Sequence, residues 1–260
     1  MPKISVIMGV FNTPKDYIKA SIDSILNQTY SNFEFIICND GCTDDSFDYI
    51  KKTFKDDRIV LLENESNRGL AYTLNHCLEY AKGDYIARMD TDDISNLNRF
   101  EEQVKVLDNY SEIGVVNSNI NVFDEKGIYG ERIYNQIITK KDFVKNNPIV
   151  HPVVMVRKEC YQKVDNYRDE KKTYRNEDYD LFMRMFAEGI NMYTVQKKLL
   201  NFREDKNSYK RRKYKYRINE YLVRVENFKK LGLLPKYYLY CLKPLIVGLV
   251  PVCVIKKLRN

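Results

Sequence analysis

Three carboxylates fall within four residues in the stretch Met89-Asp90-Thr91-Asp92-Asp93. Like charges this close repel one another, and a fold tolerates them most easily when a cation sits among them. Hard oxygen donors suit Mg²⁺ or Mn²⁺, and such ions commonly bridge to substrate phosphates. The bland alternative is an acidic surface turn that caps the helix after it. A second stretch, Asn39-Asp40-Gly41-Cys42-Thr43-Asp44, offers Asp40 as a hydrogen-bond acceptor for a base or sugar, with Gly41 allowing close backbone approach. Its alternative is a turn in which Thr43 or Asp44 caps the next helix. A third, Asn176-Glu177-Asp178-Tyr179-Asp180-Leu181, holds candidates for a general base, which must be an ionised carboxylate within reach of an acceptor hydroxyl. There the alternative is a set of carboxylates that simply complements a helix N-terminus.

The elements around these residues alternate in type. Residues 4–10, 33–38, 59–62 and 85–89 are short apolar runs that predict buried strands. Between them, helical spacing covers 15–28, where Tyr17, Ile18, Ile22, Ile25 and Leu26 share a face, then 44–54 and 70–81. This βαβαβαβ order predicts an α/β fold with a mostly parallel sheet covered on both faces. Ligands of such sheets bind beyond the carboxyl ends of the strands, where Phe11, Asp40 and the aspartate triad all fall. Further along, 97–109 predicts an amphipathic helix, 114–123 with 128–134 a hairpin, and 177–188 a helix.

The ordered set of motifs resembles the family 2 glycosyltransferases of bacterial surface-polysaccharide type, which have the GT-A fold. The matching stretches are Val6-Ile7-Met8-Gly9-Val10-Phe11-Asn12, Ser24-Ile25-Leu26-Asn27-Gln28-Thr29-Tyr30, Asn39 to Asp44, Asn67-Arg68-Gly69-Leu70 and Gly83 to Asp93. His151-Pro152 and Glu177 to Leu181 complete it, over residues 3–205. The resemblance implies an inverting enzyme with a nucleotide-sugar donor, usually UDP-linked, and a divalent metal. It implies that Phe11 stacks on the base, and that Asp40 and Arg68 hydrogen-bond it. Asp90 and Asp92 are the acids of its DxD motif, Asp92 on the metal and Asp90 on the ribose or the metal shell. Asp93 is implied to position the donor sugar, Asp178 to be the catalytic base, and Arg203 to reach the diphosphate. Gly9, Asn39, Cys42 and Asp205 depart from the family's usual Pro, Asp, Ser and His; the last leaves any further phosphate or metal contact there open.

Composition narrows the rest. The 260 residues are 44% hydrophobic and 30% charged, which suits a folded soluble protein and excludes a disordered one. Six cysteines form no Cys-x-x-Cys pair and the two histidines are far apart, which excludes a zinc finger or ribbon. Met1-Pro2-Lys3 leads straight into a strand without a secretory signal, so a reducing cytosol is the expected compartment. The net charge of +7 is unevenly spread: residues 197–260 carry 18 basic and four acidic side chains, whereas the preceding residues are net acidic.

The expected organisation is a catalytic domain over 1–205, with a nucleotide-binding half (1–93) and an acceptor half (94–205), followed by a basic, amphipathic helical tail over 206–260. Within the tail, Tyr214, Ile218, Tyr221, Val225 and Phe228 fall on one helical face, and the apolar run 245–255 ends in Lys256, Lys257 and Arg259. Eleven residues are too few to span a bilayer, for which ~20 are needed. The tail is therefore expected to lie on an anionic membrane surface, inner face, near a lipid-linked glycan acceptor, rather than to bind nucleic acid. A helical arm packed on the body is the competing reading. Two other classes stay open: a sugar nucleotidyltransferase, which would want a glycine-rich phosphate loop where Val10-Phe11-Asn12-Thr13-Pro14 stands, and a nonenzymatic RNA-binding protein using the Lys/Arg/Tyr tail.

Overall fold

The computed structural model describes residues 1–204 and 213–250. The first half alternates as the apolar runs require: β1 (Ile4–Val10), α1 (Lys15–Leu26), β2 (Phe33–Asn39), α2 (Ser46–Thr53), β3 (Ile59–Glu63), α3 (Leu70–Tyr80) and β4 (Tyr85–Arg88). After β5 (Ile94–Ser95) come α4 (Arg99–Asn109), β6 (Ile113–Asp124), β7 (Gly127–Arg132), α5 (Asp142–Lys145), a 3-10 turn at His151–Val153, β8 (Met155–Arg157), α6 (Lys158–Lys163), α7 (Glu177–Ala187) and β9 (Asn191–Arg203). A C-terminal arm follows, made of α8 (Tyr214–Lys230) and α9 (Tyr238–Leu249).

The strands form one sheet in the order β3-β2-β1-β4-β8-β6-β9-β5, with β7 paired on β6. β3, β2, β1 and β4 are mutually parallel. β8 runs antiparallel between β4 and β6, and β6 and β9 are parallel along a long seam. Side chains of a strand alternate between faces, and both faces here are apolar. Ile4, Val6, Met8 and Val10 meet α1, α2 and α4 through Ile22, Phe47 and Phe100. Ile7, Ile36 and Ile86 meet α3, α7 and α8 through Leu74, Phe182, Val223 and Phe228.

Several boundaries shift for local reasons. α1 stops at Leu26 because Gln28 turns back: its amide donates to Ser24 O and Asn96 O and accepts from Phe100 N–H. α2 starts at Ser46, since the Asp44 carboxylate accepts the Ser46 N–H at 3.0 Å and so acts before the helix rather than within it. The short strand β5, together with β9, α5 and α6, was not expected from the sequence.

α8 lies against α7, and its buried residues are Val223, Arg224, Asn227 and Phe228. The buried stripe is thus rotated from the expected one: Tyr214 and Ile218 are exposed, and Leu222 with them. Asn227 Nδ2 donates to Asp180 Oδ1 at 2.9 Å, and Asp180 also holds Arg184 at 2.7 Å and Arg168 at 3.5 Å. Glu226 pairs with Arg168 and Lys172. No described helix is long and apolar enough to cross a membrane. Residues 205–212 and 251–260, including most of the expected basic run and the end of the apolar run, lie outside the described residues.

Candidate active site

Parallel register sets the ends of β1, β2 and β4 side by side: Val10 pairs with Asn39, and Ile7 with Arg88. The aspartate triad leaves β4 one residue later, and carboxylate oxygens of Asp90, Asp92 and Asp93 lie within 4.8 Å of one another. The loop is pinned from three sides. Ser21 Oγ on α1 donates to Asp90 O at 2.6 Å, and the Thr13 and Thr91 hydroxyls share a hydrogen bond of 3.0 Å. From β9, which β5 pairs through Ile94 and Asn201, Arg203 N–H donates to Asp93 Oδ1 at 2.7 Å. Arg203 Nε donates to Asp92 O at 2.9 Å. The Arg203 guanidinium lies over the Tyr17 ring at 3.9 Å and the Phe123 ring at 4.4 Å, which fixes it against this loop.

Asp93 is 1% exposed, and its Oδ2 is buried with no hydrogen-bond partner among the described residues. Burial, with the charges of Asp90 and Asp92 beside it, holds its pKa well above the usual carboxylate range. An orphaned buried oxygen within a set of hard donors fits a divalent cation of the Mg²⁺ or Mn²⁺ kind. Behind the triad stand two buried arginines. Arg88, 1% exposed, is ion-paired with Asp90, while its Nε has no hydrogen-bond partner among the described residues. Arg99 donates to Arg88 O at 2.8 Å and to Val154 O at 3.3 Å, locking the end of β4 to β8, and burial pushes its pKa down to about 9.

Asp178 stands in the first turn of α7. Asn147 Nδ2 donates to its Oδ2 at 2.9 Å, and Tyr179 N–H to its Oδ1 at 2.8 Å. Burial pushes its pKa up, against the opposing pull of these two hydrogen bonds and of the Arg88 charge. A base works only when ionised, so activity that depends on Asp178 should fall as pH drops through a pKa above that of an exposed aspartate, about 3.9. Asn147→Ala removes a donor that favours the ionised form. Its acid limb in a kcat–pH profile should therefore move to higher pH, and an unmoved limb would show that this carboxylate is not the titrating group.

The ends of β1 and β2 are built differently. Phe11, at the end of β1, is 45% exposed and presents an open ring. Asn12 and Thr43 exchange two hydrogen bonds of 2.9 Å, joining the loops after β1 and β2. Asp40 is buried: its Oδ1 accepts from Arg68 N–H at 2.8 Å and Asn64 Nδ2 at 3.0 Å, and its Oδ2 from Gly69 N–H at 3.0 Å. Much of its accepting capacity thus holds the loop that carries Arg68, whose exposed guanidinium lies 4.2 Å over the Tyr72 ring. The two loops touch at Gly41, whose φ is +69° and where a Cβ would meet the backbone of Ser66 and Asn67 at 2.5 Å.

His151 is a packed residue: its Nε2 shares a hydrogen bond of 2.8 Å with the Tyr167 hydroxyl, and burial holds its pKa well below the usual range. Arg88 and Asn147 were missed as site residues in the sequence. Arg88 left a trace, a lone charge inside the otherwise apolar run Tyr85-Ile86-Ala87-Arg88-Met89. Asn147 left none.

Comparison with known proteins agrees with this geometry. The model of glycosyl transferase family 2 matches residues 5–165. The chain is 39% identical over 258 residues to the putative glycosyltransferase EpsE of Bacillus subtilis, covering 98% of this chain and 92% of that protein. Over 117 residues it is 44% identical to the UDP-Glc:alpha-D-GlcNAc-diphosphoundecaprenol beta-1,3-glucosyltransferase WfaP of Escherichia coli, covering 43% of this chain and 46% of that one. Among solved structures, S. aureus TarS 1-349 in complex with UDP-GlcNAc superposes with a TM-score of 0.75 at 17% identity, over 93% of this chain and 73% of that chain. The fold is GT-A. The chain belongs to glycosyl transferase family 2 and is a glycosyltransferase.

Proposed function

We propose that this glycosyltransferase transfers a hexose or N-acetylhexosamine, with inversion, from a UDP-sugar to a polyprenyl-diphosphate-linked glycan during bacterial polysaccharide synthesis. The observation that carries this reading is the presence of two acidic sites: a crowded triad suited to a metal and diphosphate, and a single, hydrogen-bonded carboxylate suited to a base. WfaP, by its name, uses UDP-Glc and a diphosphoundecaprenol-linked acceptor, and EpsE matches along nearly the whole chain.

In this reading Phe11 stacks on the base, while Asp40 and Arg68 face its polar edge. Asp92 and Asp90 would hold the divalent metal, which would supply positive charge toward the diphosphate. Asp93 lies where the donor sugar meets the triad, and Arg203 steadies the loop toward the diphosphate. Asp178 takes the proton of the acceptor hydroxyl. That oxygen bonds to the anomeric carbon as the carbon–oxygen bond to the diphosphate breaks, and the diphosphate leaves with the electron pair. One base with no separate nucleophile gives a single displacement and hence inversion.

The test is thermal unfolding in the presence of UDP- and GDP-sugars, with and without Mn²⁺. A ligand that binds only the folded state raises its stability with concentration. A UDP-sugar should raise Tm in a Mn²⁺-dependent manner; no response to any UDP-sugar overturns the donor assignment.

The arm is proposed to hold the enzyme on the cytoplasmic face of the membrane. Supporting this are exposed Ile218, Leu222, Leu239, Ile246 and Leu249, exposed Tyr214, Tyr238 and Tyr240, and lysines 213, 215, 229, 230, 236 and 243 in the same two helices or beside them. The full chain should co-sediment with phosphatidylglycerol vesicles and do so less when Leu222 and Leu239 are both changed to Glu. Equal sedimentation of parent and variant refutes docking through these side chains.

A further inference from the structure

Asp178 is held in part by a residue that neither the triad nor α7 supplies. Its Oδ2 is held by Asn147, two residues past the end of α5, whose last two carbonyls are those of Val144 and Lys145. Those two carbonyls are not free ends. Arg224 of α8 donates from Nη1 to Val144 O at 2.9 Å and from Nη2 to Lys145 O at 3.2 Å. Lys243 of α9 donates to Lys145 O at 2.9 Å and to Asn146 Oδ1 at 3.3 Å. Arg224 is 2% exposed and is itself held by Glu220, whose Oε1 accepts from its Nε at 3.1 Å and its Nη2 at 3.0 Å. The same guanidinium lies 5.1 Å from the centre of the Tyr179 ring, on the residue that follows Asp178 and donates its N–H to it. Tyr179 in turn donates its hydroxyl to Phe143 O, closing the circle between α7 and α5.

We propose that Arg224 is a positioning residue for Asp178: by bridging the Val144 and Lys145 carbonyls while lying over Tyr179, it sets the Asn147–Asp178 hydrogen bond and so completes the active site from the C-terminal arm. The inference rests on Asp178 being the base. Arginine suits the task because its rigid planar fork reaches two carbonyls at once, which a lysine ammonium at the same place does not reproduce. A base displaced by about 1 Å loses on the order of 100-fold in rate with no need to lose substrate affinity.

The experiment uses the full chain and five variants: Asn147→Ala, Arg224→Lys, Arg224→Met, the double variant Asn147→Ala/Arg224→Met, and Asp178→Asn. Read out are kcat and KM for transfer, UDP affinity in Mn²⁺, and Tm. Arg224→Met should lower kcat by about 10- to 100-fold, with UDP affinity unchanged within about twofold. The double variant should lose scarcely more kcat than the worse single variant, because both changes act through one carboxylate. Arg224→Lys, which keeps the charge and the stem, should fold as the parent does and still lose kcat. If the single losses multiply in the double variant, or if kcat is kept, the proposal is overturned. It is also overturned if kcat, UDP affinity and Tm fall together in both Arg224 variants, since that is the mark of general packing. Asp178→Asn separates the two levels. Full transfer in that variant overturns the base itself; loss of transfer there with an unaffected Arg224→Met variant overturns only the positioning role.

Discussion

Asp178→Asn is expected to lower kcat by about 10²- to 10⁴-fold, the range contributed by a positioned general base, and to leave UDP affinity and fold intact. The amide has the shape of the carboxylate, and its oxygen can still accept from Asn147 Nδ2, so the segment after α5 keeps its anchor. What the amide cannot do is take a proton. Stability should not suffer. Burial raises the folded-state pKa of Asp178, so the ionised form is disfavoured on folding at every pH above its unfolded value; a neutral amide removes that cost near neutrality. The informative measurement is therefore kcat alongside Tm and UDP binding on one preparation. A kcat within a few-fold of the parent at unchanged Tm would remove Asp178 from the mechanism.

The second large effect is expected at Asp92. Asp92→Ala should weaken Mn²⁺-dependent UDP binding by about 100-fold or more, since even loss of a residue that only orients a metal ligand costs 10- to 100-fold. Arg203 Nε donates to the backbone carbonyl of Asp92, a contact that the substitution leaves in place. Asp92 is one of the charges that push Asp93 upward, and removing it relieves repulsion around a buried acid. Titration calorimetry with UDP, with and without Mn²⁺, separates the two contributions. If Mn²⁺ strengthens binding to the variant as much as to the parent, Asp92 holds no metal.

The first half was legible because its strands are buried on both faces and its helices are amphipathic, so local pattern and tertiary role coincide. Ile4 to Val10 reads as a buried strand and is one; Ile22 reads as part of an apolar helical face and lies in the core. The second half was less legible because its strands are set by partners far along the chain. β8 is three residues long and exists by fitting between β4 and β6, and β5 is two residues held on β9. At the site the motif acids were visible, yet what holds them was not. Asp40 reads as a ligand for a base, whereas most of its hydrogen bonds secure its own neighbours Asn64, Arg68 and Gly69. Asp180 sits two residues from Asp178 in one acidic motif, but it is fully buried among Arg184, Arg168 and Asn227. Spacing along a helix cannot tell which of two acids faces the cleft until the neighbouring helix is in place.

That neighbouring helix also bears on how relatives of this enzyme could be recombined. The motifs that mark the family end near Arg203, which invites an exchange of everything after it to graft one enzyme's arm onto another's catalytic half. The contacts say where such a graft must be cut. Arg224 and Lys243 read the backbone of residues 144–146, and Asn227 reads Asp180. A chimera that carries the arm alone would join two halves of a handshake from different partners. One that carries residues 142–147 and the first turns of α7 together with the arm keeps the whole unit.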